Sequence, residues 1–120
     1  MLPISSAVEA GDYVFLSGVP PIEEGRVVFP RDAARQTEFI FCRMRQILSS
    51  FELSLNHLVY VQVYLRNIQD SENINSVYER MMPRPYPARK LVTTDFTAEG
   101  VCLEINGIAY RKLEQTKSIS

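Results

Sequence analysis

Residues 58–66 read Leu58-Val59-Tyr60-Val61-Gln62-Val63-Tyr64-Leu65-Arg66, a run rich in β-branched and aromatic side chains. That composition is typical of a β-strand. Strand alternation divides the run into a face with Val59, Val61, Val63 and Leu65 and a face with Leu58, Tyr60, Gln62 and Tyr64. Because each face carries aliphatic or aromatic side chains, we expect a central strand that is at least partly covered on both sides.

The segments around this strand predict the remaining secondary structure from hydrophobic period, helix caps and turn residues. The predicted elements are a hairpin of Ala7–Glu9 and Tyr13–Ser17, a short strand at Val27–Phe29, a helix from Asp32 to about Ser50, a helix from Asp70 or Ser71 to Pro83, and strands at Leu91–Thr93 and Val101–Tyr110. This order favours an α+β fold, a two-layer domain in which two helices cover one face of a single mixed sheet.

Length and composition set the scale of the molecule. The 120 residues fit one domain, residues 1–120, and leave no room for a second core. A hydrophobic content of 46% with 22% charged residues is ordinary globular composition. The tail from Arg111 to Ser120 is polar and without periodicity, so we expect it to be flexible.

The charge balance bears on partners and compartment. A net charge of -1 creates no field that would attract nucleic acid or an anionic membrane. No apolar run approaches the ~20 residues that cross a bilayer, and the first residues lack the basic and apolar regions of a signal peptide. We therefore expect a cytoplasmic protein with neither nucleic acid nor membrane as a partner.

The side chains that could bind a metal are few. Cys42 and Cys102 fall in a predicted helix and a predicted strand, and neither has metal-ligand spacing around it. His57 is the single imidazole and has no acidic partner nearby in the sequence. We expect no metal site, no catalytic role for His57, and a simple core role for Cys102.

The second face of the predicted sheet has consequences for assembly. Two helices cover only one face, so the other must be polar or meet a partner. The last strand alternates Val101, Leu103 and Ile105 with Cys102, Glu104 and Asn106, and the central strand has aliphatic or tyrosine side chains on both faces. An uncovered face of this kind predicts self-association through the sheet.

A proline segment presents one arginine with little freedom. In Pro85-Tyr86-Pro87-Ala88-Arg89 each proline fixes its own φ and restricts the residue before it. Arg89 therefore stands on stiff backbone at the start of a strand. A guanidinium can bind a carboxylate through two parallel hydrogen bonds, so Arg89 is a candidate carboxylate clamp. The alternative is a solvated surface arginine.

Four pieces of the chain, in their order and spacing, together resemble one known family. They are Ala7–Gly18, the pair Asn75 and Tyr78, Pro85–Arg89, and Leu103–Ala109. From Ile4 to Tyr110 the chain is similar to the Rid family of reactive-intermediate deaminases, also called the YjgF family. The resemblance implies a chorismate-mutase-like α+β domain assembled as a homotrimer, with clefts between subunits.

The resemblance also implies a chemistry. Family members hydrolyse reactive enamines and 2-imino acids to 2-keto acids and ammonia, without a metal or cofactor. By resemblance Arg89 binds the substrate carboxylate and Glu104 places the attacking water, while Ser17 and Gly18 line the cleft. Such a substrate is already electrophilic, so orientation, water placement and a proton donor can suffice.

Several residues depart from the family pattern around the presumed cleft. Ile4, Val19 and Leu91 stand where polar or smaller residues are common, and Lys90 follows the arginine. Ile4, Val19 and Leu91 are expected to contact the substrate and to favour imino acids with longer apolar side chains. Lys90 is expected to point to the opposite face from Arg89 and to be solvated.

Alternative interpretations remain open from the sequence. Glu104 on a mostly apolar strand could equally pair with a nearby arginine, and Asn75 could be a purely structural helix residue. The chain could be a non-catalytic trimer of the same fold that binds a small carboxylate or a protein in the cleft. A ribonuclease activity has also been attached to the family, but the chain lacks the basic stripe that this would need.

Overall fold

The computed structural model describes residues 2–120, and in it four strands precede the first helix, one strand separates the two helices, and two strands follow. The strands are β1 (Ala7–Ala10), β2 (Tyr13–Val19), β3 (Ile22–Glu23), β4 (Arg26–Val27), β5 (Leu58–Leu65), β6 (Ala88–Thr93) and β7 (Leu103–Tyr110), and the helices are α1 (Ala33–Ser49) and α2 (Ser71–Met81). Over these residues, no helix is long and apolar enough to span a bilayer.

Five of the strands form one mixed sheet in the order β1-β2-β7-β5-β6. β5 and β6 run parallel, and the other neighbouring pairs are antiparallel. β3 and β4 form a separate two-stranded hairpin. The mixed sheet with two helices confirms the predicted α+β fold. β1 and β6 are the two edges of the sheet, so residues near them lie on opposite sides of the molecule.

Both long helices begin and end close to the predicted residues. The Asp32 side chain accepts a hydrogen bond of 3.0 Å from the backbone N–H of Arg35, which caps α1. α2 ends at Met81, two positions before Pro83, a residue that cannot continue a helix.

One face of the sheet packs against the helices. Val61, Val63 and Leu65 of β5 are completely buried there. The helices contribute to the same core with Ile40, Phe41, Met44, Leu48, Ile74 and Tyr78. The predicted apolar face of the central strand is therefore the helix-covered face.

The predicted alternation of β5 is wrong at its first residues. The pairing of β5 with β7 shifts register between Leu58 and Tyr60. Leu58 is consequently buried in the same core as Val61, whereas Val59 is only partly buried. A local irregularity of this kind reverses the alternation on one side of it.

The face of the sheet away from the helices is mixed in character, which corrects the expectation of an apolar face. Tyr60, Gln62 and Tyr64 of β5 lie there and are partly exposed. The Gln62 amide lies 3.4 Å and 3.3 Å from the hydroxyl groups of Tyr60 and Tyr64. Phe15 is 44% exposed on the same face. Amphipathic side chains of this type suit a protein interface as well as solvent.

Two further segments differ from the predictions. In place of the short strand expected at Val27–Phe29, the chain has strand β4, which pairs with β3 and ends at Val27. β4 does not extend to Phe29, because Phe29 and Arg31 have positive φ angles of 45° and 64°. β7 begins at Leu103 instead of Val101. In the tail, Leu113–Gln115 form a 3-10 turn, and the backbone N–H of Arg111 donates to the carbonyl of Asp12 at 2.7 Å.

A buried glutamine joins α1 to two loops. Gln36 is completely buried. Its amide nitrogen lies 2.9–3.1 Å from the carbonyl oxygens of Val28, Phe29 and Gly100, and its amide oxygen accepts from the N–H of Cys102 at 2.7 Å. These contacts satisfy backbone groups of non-repetitive segments that would otherwise be buried without partners.

We expect Gln36→Leu to lower the free energy of unfolding by about 3 kcal/mol or more, because it leaves several buried backbone groups unsatisfied. Gln46→Leu on the exposed side of α1 is the matched control and should change it by less than about 0.5 kcal/mol. Urea denaturation followed by circular dichroism measures both. Equal stability of the two variants would contradict the proposed role of Gln36.

Candidate functional site

Arg89 lies at the edge of the sheet, on the side of the helices. It is paired with Val61 across β5 and β6, so both side chains point to the same face. One terminal nitrogen of the guanidinium donates to Asn75 Oδ1 at 2.7 Å. The guanidinium carbon lies 4.8 Å from the centre of the Tyr78 ring. An amide on one side and an aromatic face below hold the arginine in place.

Tyr78 is the buried platform of this arrangement. The residue is only 6% exposed, and its hydroxyl is buried with no hydrogen-bond partner among residues 2–120. Burial raises the pKa of Tyr78 to about 12, although the positive charge of Arg89 acts in the opposite direction. The phenol therefore stays neutral at physiological pH, and its ring face remains available to the guanidinium.

The pocket around Arg89 is small and carries both signs of charge. It encloses about 300 Å³ and is lined by Asn75, Tyr78, Glu79, Arg84, Tyr86, Pro87 and Arg89. The proline segment thus supplies one wall of the pocket and α2 the other. Several donors of Arg89 remain after its bond to Asn75, because a guanidinium carries five N–H groups.

Glu104 lies on the opposite face of the sheet. It is paired with Tyr64, whose side chain points away from the helices. Its carboxylate packs against the α-carbon of Gly18: a side-chain carbon added to that glycine would lie 2.3 Å from Glu104 Oε1. Glycine at position 18 is therefore required for the position of this carboxyl group.

Burial determines the protonation behaviour of Glu104. Desolvation raises the pKa of this carboxyl above its usual value. The side chain lines a shallow pocket of about 350 Å³ with Gly18, Tyr64, Thr94, Asp95, Phe96 and Asn106. A carboxyl group with a raised pKa in a pocket can accept a proton from water and return it to a leaving group.

A third cavity lies at the outer edge of β2. It is a groove of about 630 Å³ between the first residues, β2 and α1, and Ile4, Ser17, Gly18 and Val19 all line it. The Ser17 hydroxyl donates to the carbonyl of Ser5 at 2.6 Å, so it is already engaged. Gly18 also lines the Glu104 pocket, which makes it the link between the groove and the carboxyl group.

A single chain brings some of the predicted site residues together and separates others. Ile4, Ser17, Gly18 and Val19 line the groove between β2 and α1, and Glu104 lies beside Gly18 on the opposite face of the sheet. Arg89 is separated from all of them, because it lies at the β6 edge. Leu91 packs against the hydrophobic core and lines none of these three cavities.

The contacts of Asn75 and Tyr78 with Arg89 were not predicted from the sequence. The sequence leaves Asn75 open to a purely structural role, and Tyr78 enters only as a part of the family resemblance. Their spacing of three residues does place them on one face of α2, where both can reach the same neighbour. The partner strand could not be identified without the fold.

Residues 2–120 hold no group of three or more His, Cys, Asp or Glu side chains that could bind a metal. Cys42 is exposed, and Cys102 is buried. The Nδ1 atom of His57 accepts from the backbone N–H of Ser54 at 3.1 Å, which assigns this ring to the 3-10 turn before β5.

Comparison with known proteins agrees with this architecture. The family model described as "Endoribonuclease L-PSP" matches residues 2–111. The 3-aminoacrylate deaminase RutC of Acinetobacter baylyi is 32% identical over 92% of this chain and 88% of its own. The mitochondrial protein mmf1 of Schizosaccharomyces pombe is 31% identical over 89% of this chain and 67% of its own.

A solved structure shows the same fold. RidA from an Antarctic Psychrobacter species superimposes with a TM-score of 0.82 at 29% identity, covering 90% of this chain and 88% of that one. The similarity therefore extends over nearly the whole chain in both sequence and structure. A mitochondrial relative also shows that the compartment differs within this group of proteins, so the cytoplasmic location stays a prediction.

Because the pKa of Glu104 is raised, we expect Glu104→Gln to increase the thermal stability of the protein by an amount that depends on pH. A carboxyl with a raised folded-state pKa contributes most to stability below its unfolded pKa, and the contribution is lost as the pH rises through the folded value. The variant should therefore unfold at a higher temperature than the wild type at pH 7, with a smaller difference at pH 4.

Calorimetry at both pH values measures this effect, and Glu99→Gln at an exposed carboxyl is the matched control. Relative to the wild type, the control variant should have no larger increase in unfolding temperature at pH 7 than at pH 4. A Glu104→Gln variant that is less stable than the wild type at pH 7 would mean that the carboxylate has a favourable partner.

Proposed function

This chain belongs to the YjgF/RidA/RutC family, and from that membership we propose that it is an enamine and imine deaminase. The proposed reaction hydrolyses small 2-imino acids to 2-keto acids and ammonia. The observation that carries the proposal is the fixed guanidinium of Arg89, held by Asn75 above the buried ring of Tyr78. The aminoacrylate substrate named for the relative RutC is likewise a small carboxylate with a reactive nitrogen.

In this proposal Arg89 is the carboxylate clamp. Its contact with Asn75 fixes the plane of the guanidinium and leaves other N–H groups free for two parallel bonds to a carboxylate. Lysine could supply the charge but not the planar fork. A substrate held by its carboxylate presents the adjacent C=N carbon in one orientation, which is the main requirement for attack by water.

Glu104 is proposed to position and activate that water. Its carboxylate takes one proton from water as the oxygen adds to the carbon of the protonated imine and the C=N electron pair moves to nitrogen, which gives a neutral carbinolamine. Glu104 then returns this proton to nitrogen, the C–N bond breaks as the hydroxyl oxygen forms the C=O bond, and the hydroxyl proton passes through Glu104 to the departing ammonia. Ammonium and a 2-keto acid leave, and the carboxylate is restored. Desolvation raises the pKa of this carboxyl, which makes it a stronger base for the first transfer than an exposed carboxylate.

The positions of the two residues support an assembly in which neighbouring subunits complete the site. Arg89 lies at the β6 edge, whereas Glu104, Gly18 and the groove of Ile4 and Val19 lie on or beside β2 and β7, away from that edge. Head-to-tail contacts in a closed ring bring opposite sides of successive subunits together. We propose a homotrimer of this kind, with the substrate between Arg89 of one subunit and the Gly18 region of the next.

Two other interpretations have less support. A non-catalytic trimer that binds a small carboxylate would need Arg89 but not Glu104, and the raised pKa of Glu104 gives that residue a chemical use. The endoribonuclease description of the family model would require phosphate contacts. The net charge of -1 gives no overall attraction to a polyanion such as RNA. Leu91 packs on the core, so its contact with substrate stays a prediction.

We expect Arg89→Lys to lower kcat/KM by about 100-fold, because the forked geometry is lost while the charge is kept. The assay generates 2-imino acids in situ with an amino-acid oxidase and follows keto-acid formation above the spontaneous rate. Arg45→Lys on the exposed side of α1 is the control and should keep full activity. Full activity in Arg89→Lys would exclude the clamp.

The shared site predicts complementation between inactive chains. Arg89→Lys and Glu104→Gln chains, co-expressed in equal amounts, should form mixed trimers in which about a quarter of the sites have both residues intact. Each variant alone should have little activity, and the mixture should recover about a quarter of the wild-type rate. Light scattering should give trimers for all samples. Trimers without recovered activity would contradict a site shared between subunits.

A further inference from the structure

A second arginine lies in the pocket of Arg89. Arg84, the residue directly before the proline segment, has its guanidinium carbon 5.3 Å from the centre of the Tyr86 ring. The Tyr86 ring is in turn 6.2 Å from the Tyr78 ring, above which Arg89 lies. Two guanidinium groups are thus held on two neighbouring tyrosine rings, and both line one pocket of about 300 Å³.

The charges around this pocket favour an anion. Its charged lining residues are Arg84, Arg89 and Glu79, which leaves one net positive charge before any ligand enters. Within residues 2–120 Arg84 has no ion pair, whereas Arg80 on the same side of the molecule is paired with Glu38 at 2.7 Å. The donors of Arg84 are therefore not committed to a carboxylate of this chain.

The contact with the Tyr86 ring restricts Arg84 without using its donors. A guanidinium above an aromatic face keeps its N–H groups available for a ligand. Tyr86 thus does for Arg84 what Tyr78 does for Arg89. A ligand with one carboxylate can satisfy only one of two such groups, and a ligand with two carboxylates can satisfy both.

We propose that Arg84 is a second anion-binding residue of the site and that this chain acts on 2-imino acids with a second carboxylate, such as those derived from glutamate or aspartate. The choice of imino acids as substrates rests on the proposed deaminase function, whereas anion binding by Arg84 does not. A preference for dicarboxylates differs from the expectation that Ile4 and Val19 favour apolar side chains, and one experiment distinguishes these two preferences.

The experiment measures binding of the product keto acids to the full chain by isothermal titration calorimetry. The probes are 2-oxoglutarate, with two carboxylates, and 4-methyl-2-oxopentanoate, with one carboxylate and an apolar side chain. We expect wild type to bind 2-oxoglutarate about tenfold more tightly, the scale of one additional hydrogen bond to a charged group. Arg84→Gln should remove this difference, and Arg45→Gln, with the same change of charge, should keep it.

Equal or tighter binding of the apolar keto acid would overturn the proposal, and so would an unchanged preference in Arg84→Gln. Initial rates with the two corresponding imines then test the reaction. If imines are hydrolysed without preference for the dicarboxylate, the role of Arg84 is wrong and the deaminase function stands. If neither imine is hydrolysed while the Arg84-dependent preference in binding persists, the anion site stands and the deaminase function is wrong.

Discussion

The pleat of β5 determines where every candidate site residue lies. Val61, Val63 and Leu65 must face the helices, because they form the centre of the core. Arg89 is paired with Val61 and therefore lies on the helix side. Glu104 is paired with Tyr64 and therefore lies on the other side. The separation of the two charged groups follows from the sheet itself, because a shift of one residue in either pairing would bring both groups to the same face.

Gln36 fixes the chain just before β7, a segment that the pairing of the strands does not fix. Its side-chain oxygen accepts the N–H of Cys102, the residue just before β7, and its nitrogen lies near the carbonyl of Gly100. The start of β7, and with it the position of Glu104, is thereby tied to α1. Gly18 then leaves the space that the carboxyl group occupies. The buried amide of Gln36 and the lack of a side chain at Gly18 therefore both contribute to the position of the Glu104 carboxylate.

The elements with strong local signals could be predicted from the sequence. Asp32 caps α1, Pro83 follows the end of α2, and the valines of β5 form the core. The errors arise where tertiary contacts override the local pattern, as in the register shift after Leu58. Arg89 was identified by its proline segment, but its contact with Asn75 joins a strand to a helix, and no periodicity in one segment could reveal it.

The proline segment connects backbone stiffness to electrostatics. Pro85 and Pro87 limit the backbone conformations between Arg84 and Arg89, so the segment that carries both arginines has little freedom before any ligand binds. Tyr86 and Tyr78 then support them from below, and Glu79 balances one of the two charges. A stiff backbone leaves less conformational freedom to be lost on binding, which is the condition under which a few hydrogen bonds produce useful affinity. If the proposed anion site is correct, its selectivity depends on Tyr86 between the prolines and on the flanking Arg84 and Arg89 more than on the fold.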